Sequence, residues 1–158
     1  MKLIVLGSGT SHGIPVVGCR CPRCCSADAR DRRFRSSLYI EGRGGERVVI
    51  DTGPEFRLQA LAANLTGLDA ILLTHSHADH LHGLDDVRPF SRDRPIPVYG
   101  NAPTIRELKE RFAYIFHPVQ TGGGLPQIEC YSAGAFVLVG GLRFTPVPVK
   151  HGNLDILG

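Results

Sequence analysis

Apolar residues along this chain fall in short runs, separated by glycine, proline and charge, and most runs have the length of a strand. Lys2–Leu6 predicts a first strand, followed by the turn Gly7-Ser8-Gly9-Thr10 and an unusually long loop that carries four cysteines. Ser37–Glu41 and Arg47–Asp51 predict an antiparallel pair joined through Gly42, Gly44 and Gly45. Pro54 stands at the start of Glu55–Asn64, where Phe56, Leu58 and Leu61 recur at helical spacing. The run Ala70-Ile71-Leu72-Leu73 within Asp69–Thr74 is apolar at successive positions, as a strand covered on both faces requires. Further on, Ile96–Tyr99 predicts a strand, Pro103–Phe112 a helix, Tyr114–Pro126 a loop, and Ile128–Tyr131, Phe136–Val139 and Leu142–Val149 three more strands. Strands in succession with a few helices between them predict an α/β sandwich with mixed sheets.

Composition changes this picture little. The 158 residues suit one domain, and 42% hydrophobic with 21% charged residues is ordinary for a globular chain. Leu3–Leu6 is broken at once by glycine, so it predicts a buried strand rather than a signal peptide, and the expected location is cytoplasmic. No run approaches the length of a membrane span, so no membrane partner is expected. A net charge of +3 favours anionic partners mildly and falls short of a dedicated nucleic-acid surface.

The strongest chemical signal is Thr74-His75-Ser76-His77-Ala78-Asp79-His80, three imidazoles and a carboxylate directly behind a buried strand. If the extended geometry continues, the period-two spacing puts the rings of His75 and His77 on one side, where they can share a metal. Asp79 and His80 sit where the chain must turn and can reach a second ion. Imidazole and carboxylate suit zinc, with manganese as an alternative. A metal pair of this kind activates a hydroxide and clamps a phosphoryl or carbonyl oxygen.

Cys19, Cys21 and Cys24, at C-x-C-x-x-C spacing, can converge on a structural zinc given a fourth ligand, with Cys25 spare. Read alone, they leave redox chemistry and unliganded thiols open. Arg30, Arg32, Arg33 and Arg35 read better as a solvated face than as an anion-attracting rim. His12, His82 and His117 read as ordinary histidines.

His75-Ser76-His77-Ala78-Asp79-His80 resembles the H-x-H-x-D-H motif of the metallo-β-lactamase superfamily, which implies the αββα sandwich of that fold. Val48-Val49-Ile50-Asp51-Thr52-Gly53 resembles the superfamily's strand ending in an aspartate that supports the metal loop without ligating, a role implied for Asp51. The same resemblance makes His151, at the end of the last predicted strand, the third histidine of the first metal site. Gly7-Ser8-Gly9-Thr10, Gly13-Ile14-Pro15 and Gly18-Cys19-Arg20-Cys21 with Cys24 resemble the phosphoribosyl 1,2-cyclic phosphate phosphodiesterase branch. That branch implies a small cyclic phosphodiester as substrate, two catalytic zinc sites and one structural zinc.

The family continues well past the third histidine with a bridging aspartate, another histidine for the second site and one completing the cysteine zinc. Gly152–Gly158 supplies no counterpart, so the chain is expected to be the N-terminal part of the fold, incomplete at its C-terminus. Its second metal site would hold only Asp79 and His80, and an uncovered apolar face would favour self-association. The leading function is a metal-dependent phosphodiesterase. The alternatives are a tRNA-processing endonuclease of the same superfamily and a non-catalytic zinc-binding fragment.

Overall fold

A computed structural model of the chain describes residues 1–118 and 124–158. Six strands form one sheet in chain order: β1 (Lys2–Gly7), β2 (Ser37–Glu41), β3 (Arg47–Ile50), β4 (Ala70–Leu72), β5 (Ile96–Gly100) and β6 (Ile128–Ser132). The pairs β1–β2 and β2–β3 are antiparallel, whereas β3–β4, β4–β5 and β5–β6 are parallel. The short glycine connection allows β2 and β3 to pair antiparallel, and the helices inserted between later strands go with the parallel pairs.

Register explains which face carries the core. Ile4 pairs with Tyr39, Tyr39 with Val49, Val49 with Ile71, Ile71 with Val98, and Val98 with Cys130, so one apolar stripe crosses all six strands. Helix α1 (Phe56–Ala62) brings Phe56 and Ala60 to the core beneath this face, and α3 (Ala102–Arg111) brings Ile105 and Leu108. Each fully buried Phe, Leu, Ile or Val there contributes about 1.5–3 kcal/mol. Asn101 caps α3 by accepting from the Thr104 N–H at 2.9 Å, which also stiffens the helix as a platform.

Three connections differ from the sequence expectation. Leu142–Val149 is not one strand: Thr145, Pro146 and Val147 interrupt it, giving β8 (Leu142–Phe144), which pairs with β7 (Val137–Val139), and β9 (Pro148–His151). Pro146, which cannot donate to a ladder, lies in the break, and Pro148 stands at the first position of β9, where a strand tolerates it. Gly152–Gly158, to which the sequence assigned no element, carries β10 (Leu154–Leu157), which pairs antiparallel with β9. Ala113–Phe116 forms a short helix, α4, where a loop was expected, while residues 119–123 of that expected loop lie outside the described residues.

The sheet's second face carries Ile50, Leu72 and Tyr99, which line an apolar cleft of ≈ 330 Å³ together with Val137, Phe144 and Leu157 from the hairpins. Apolar side chains also stand exposed on the hairpins, including Leu138, Val149 and Leu154. Among the described residues, no helix is long and apolar enough to cross a membrane.

Candidate metal centre

The histidine loop leaves the C-terminal end of β4, the end at which parallel strands present their ligands. The strand ends at Leu72, sooner than expected, so His75 and His77 lie beyond it rather than on it. Helix α2 (Ala78–Leu81) follows at once, one turn long. Its position is set by the turn after β3. The Thr52 N–H donates to the His80 carbonyl at 2.8 Å, and the Gly83 N–H donates to the Thr52 carbonyl at 2.8 Å. Gly53 is needed for that approach, because a Cβ there would lie 2.3 Å from the Asp79 carbonyl oxygen.

Asp51 is buried at the head of this turn with φ 62, in the left-handed region that few non-glycine residues occupy. The conformation aims its carboxylate at the histidine loop. Oδ1 accepts from the Thr74 N–H at 2.8 Å, and Oδ2 accepts from the Thr74 hydroxyl at 2.8 Å and faces His80 Nδ1 at 2.7 Å. Burial opposes protonation of His80, but the hydrogen bond and charge of Asp51, followed by those of Asp79, outweigh it and raise its pKa.

His75, His77 and His151 each offer a ring nitrogen, and these nitrogens lie within 4.8 Å of one another. His75 Nε2 and His77 Nδ1 are 3.1 Å apart. Two nitrogens bound tetrahedrally at ordinary zinc distances would stand about 3.3 Å apart, so this donor set fits a zinc-like ion without rebuilding the loop. Burial, then the neighbouring His80 and His77 charges, push the His75 pKa down to about 4, which keeps its imidazole neutral as a ligand must be. His151 arrives by a route the sequence reading missed. It ends β9, and the hairpin is anchored beside the loop by the Leu157 N–H donating to the Thr74 carbonyl at 3.0 Å. The signal was present in Gly152-Asn153, a two-residue hairpin turn with Gly152 at φ 60.

Asp79 and His80 also meet, with Asp79 Oδ2 at 3.1 Å from His80 Nε2. Among the described residues, no third donor joins them in a metal-sized group. In the first loop, Cys19, Cys21 and Cys24 bring their sulfurs within 4.8 Å of one another, without Cys25. The backbone N–H of Cys24, followed by the Cys19 thiol, heads the interactions that lower the Cys21 thiol to about 7. The basic run is dispersed: Arg30 pairs with Asp28, and Arg35 pairs with Glu55. His82 packs edge-on against Phe112, and His12 and His117 are exposed, so none of the three joins a metal-sized group among the described residues.

A mixed sheet with imidazoles gathered beyond the ends of its parallel strands defines a metallo-β-lactamase fold. The chain belongs to the family described as the beta-lactamase superfamily domain, which matches residues 46–156. It is similar to the crystal structure of a new diphosphatase from the PhnP family, with 44% identity and a TM-score of 0.88 over 99% of this chain and 60% of that one. Zinc-bound PqqB from Methylobacterium extorquens shares the fold at 22% identity and a TM-score of 0.74, over 100% of this chain and 58% of that one. Among curated proteins, the chain is 41% identical to an octanoyltransferase of Porphyromonas gingivalis, over 100% of this chain and 32% of that protein. It is 28% identical to coenzyme PQQ synthesis protein B of Xanthomonas oryzae pv. oryzae, over 94% of this chain and 52% of that protein. The chain therefore spans between a third and three-fifths of the length of these relatives.

Proposed function

We propose that this chain carries the metal-holding part of a hydrolase that cleaves a phosphodiester or diphosphate link, with a small cyclic phosphodiester as the leading substrate class. The observation that carries this reading is the convergence of His75, His77 and His151 beside the Asp79–His80 pair. The 44% identity to a PhnP-family diphosphatase supports the phosphorus chemistry.

His75, His77 and His151 hold the first metal, and Asp79 and His80 begin a second site. Zinc is the proposed ion at both, with a structural zinc on Cys19, Cys21 and Cys24. Bound there, a metal would supply Lewis acidity and lower the pKa of water towards neutrality. Asp51 holds Thr74 and His80 in place, and the depressed His75 pKa keeps a nitrogen lone pair free near neutral pH. The acyl-transfer name of the Porphyromonas relative belongs to a protein of which the matched segment is 32%. Converging imidazoles are equipment for metal-assisted hydrolysis rather than for carrying an acyl group.

The test is a substrate panel on the purified, metal-loaded chain: a ribose 1,2-cyclic phosphate, a nucleoside diphosphate and a 3′-extended tRNA. Turnover of the cyclic ester or the diphosphate, with none of the tRNA, is expected. Cleavage of the tRNA alone would overturn the substrate class in favour of the endonuclease. Failure on all three would leave a non-catalytic metal-binding chain.

A further inference from the structure

His75 and His80 are each oriented by a neighbouring oxygen: His75 Nδ1 stands 2.9 Å from the Thr74 hydroxyl, and His80 Nδ1 stands 2.7 Å from Asp51. His77 differs. Among the described residues, its ring makes one hydrogen bond, to His75 itself, so no outside group sets its angle. The ring's position must then come from the backbone on which it is mounted, which is the peptide leading out of Ser76.

That peptide is gripped by α3. The Ser76 hydroxyl donates to Glu107 Oε2 at 2.7 Å, and the Arg111 guanidinium donates through Nη1 to the Ser76 carbonyl oxygen. Arg111 Nη2 closes the ring by donating to the same Glu107 oxygen at 2.7 Å. Glu107 and Arg111 are one helical turn apart and share a face. The helix beneath them is anchored by Leu108, fully buried, and by Ile105. Ser76 itself is 8% exposed, so its own two bonds are partly shielded from water, while the Glu107–Arg111 bond lies at the surface.

We propose that Glu107 and Arg111 are positioning residues for the metal centre: by clamping Ser76, they hold His77 at the angle that lets its Nδ1 share an ion with His75. The inference rests on the metal reading above. Neither residue belongs to the metal-sized histidine group; each acts through the serine between two ligands. A surface Glu–Arg pair four residues apart has little effect on stability, so its removal should act on the metal site rather than on the fold.

The test is zinc affinity by chelator competition, together with the absorption spectrum of the cobalt-substituted full chain. It compares wild type, Glu107→Ala, Glu107→Gln, Arg111→Ala, Ser76→Ala, His77→Ala and the control Glu110→Ala, which changes an exposed residue of the same helix. Glu107→Ala, Arg111→Ala and Ser76→Ala are expected to lose about tenfold to a hundredfold in affinity and to change the cobalt spectrum. Glu107→Gln, whose amide oxygen still accepts from Ser76, recovers most of the loss, and Glu110→Ala matches wild type. Wild-type affinity and spectrum in all three loss variants, with the histidine-site metal, counted apart from the ion on Cys19, Cys21 and Cys24, still lost in His77→Ala, would overturn the clamp alone. Equal occupancy of the histidine site in wild type and His77→Ala would overturn the metal reading and the clamp with it. Should Glu107→Ala fail to fold, Ser76→Ala and Arg111→Ala decide the matter, because each removes one arm of the same grip.

Discussion

Asp51 Oδ2 lies 2.7 Å from His80 Nδ1, and the same carboxylate holds both the N–H and the hydroxyl of Thr74. One buried side chain thus ties both ends of the histidine loop to the end of β3. Asp51→Ala leaves those donors without their partner and frees the ring of His80. Zinc affinity is expected to fall about tenfold to a hundredfold, read by chelator competition. Asp51→Asn keeps one acceptor oxygen and is expected to fall between Asp51→Ala and wild type. Unchanged affinity in Asp51→Ala would contradict the supporting role.

Gly53 gives a steric prediction. In Gly53→Ala the new methyl must displace the Asp79 carbonyl, which is backbone and cannot swing aside. The variant is expected to lose about 1–3 kcal/mol in denaturant unfolding and to bind metal more weakly, because α2 must move away from the turn after β3. A variant as stable as wild type would show that the turn has more room than this packing allows.

Asp69 gives a pH prediction. It accepts from the Arg47 N–H at 2.8 Å and from the Arg47 guanidinium at 3.1 and 3.2 Å, and it also pairs with Arg94. Burial alone would raise the carboxyl, but the Arg47 side-chain and backbone hydrogen bonds outweigh it and hold Asp69 below the usual carboxylate range. A depressed carboxylate pKa adds stability that is present above the unfolded value, near 3.8, and is lost as pH falls through the folded one. Asp69→Asn is therefore expected to cost roughly 1–3 kcal/mol at pH 7, a deficit that shrinks below about pH 4. A deficit independent of pH would mean that packing, not charge, is what the substitution removes.

Legibility in the sequence followed the range of the physics. The strand β4 was visible because Ala70, Ile71 and Leu72 sit between two neighbouring strands, and burial on both faces leaves an unbroken apolar run. The histidine cluster was visible because its members are adjacent in the chain. His151 was placed by resemblance alone, since its approach depends on a hairpin that ties to Thr74 from far along the sequence. Helix α4 was missed because Ala113–Phe116 is a single turn, too short to show a period. The Glu107–Arg111 grip on Ser76 was invisible for a related reason: three polar residues on two distant elements have no pattern until the fold brings them together.

The most direct test of the metal-hydrolase reading is hydrolysis of a chromogenic phosphodiester by the metal-stripped chain, before and after adding zinc or manganese, beside His77→Ala. Turnover that appears with metal, disappears with chelator and falls by more than about a hundredfold in His77→Ala is the predicted result. Turnover at the same rate in His77→Ala, or without metal, would contradict it.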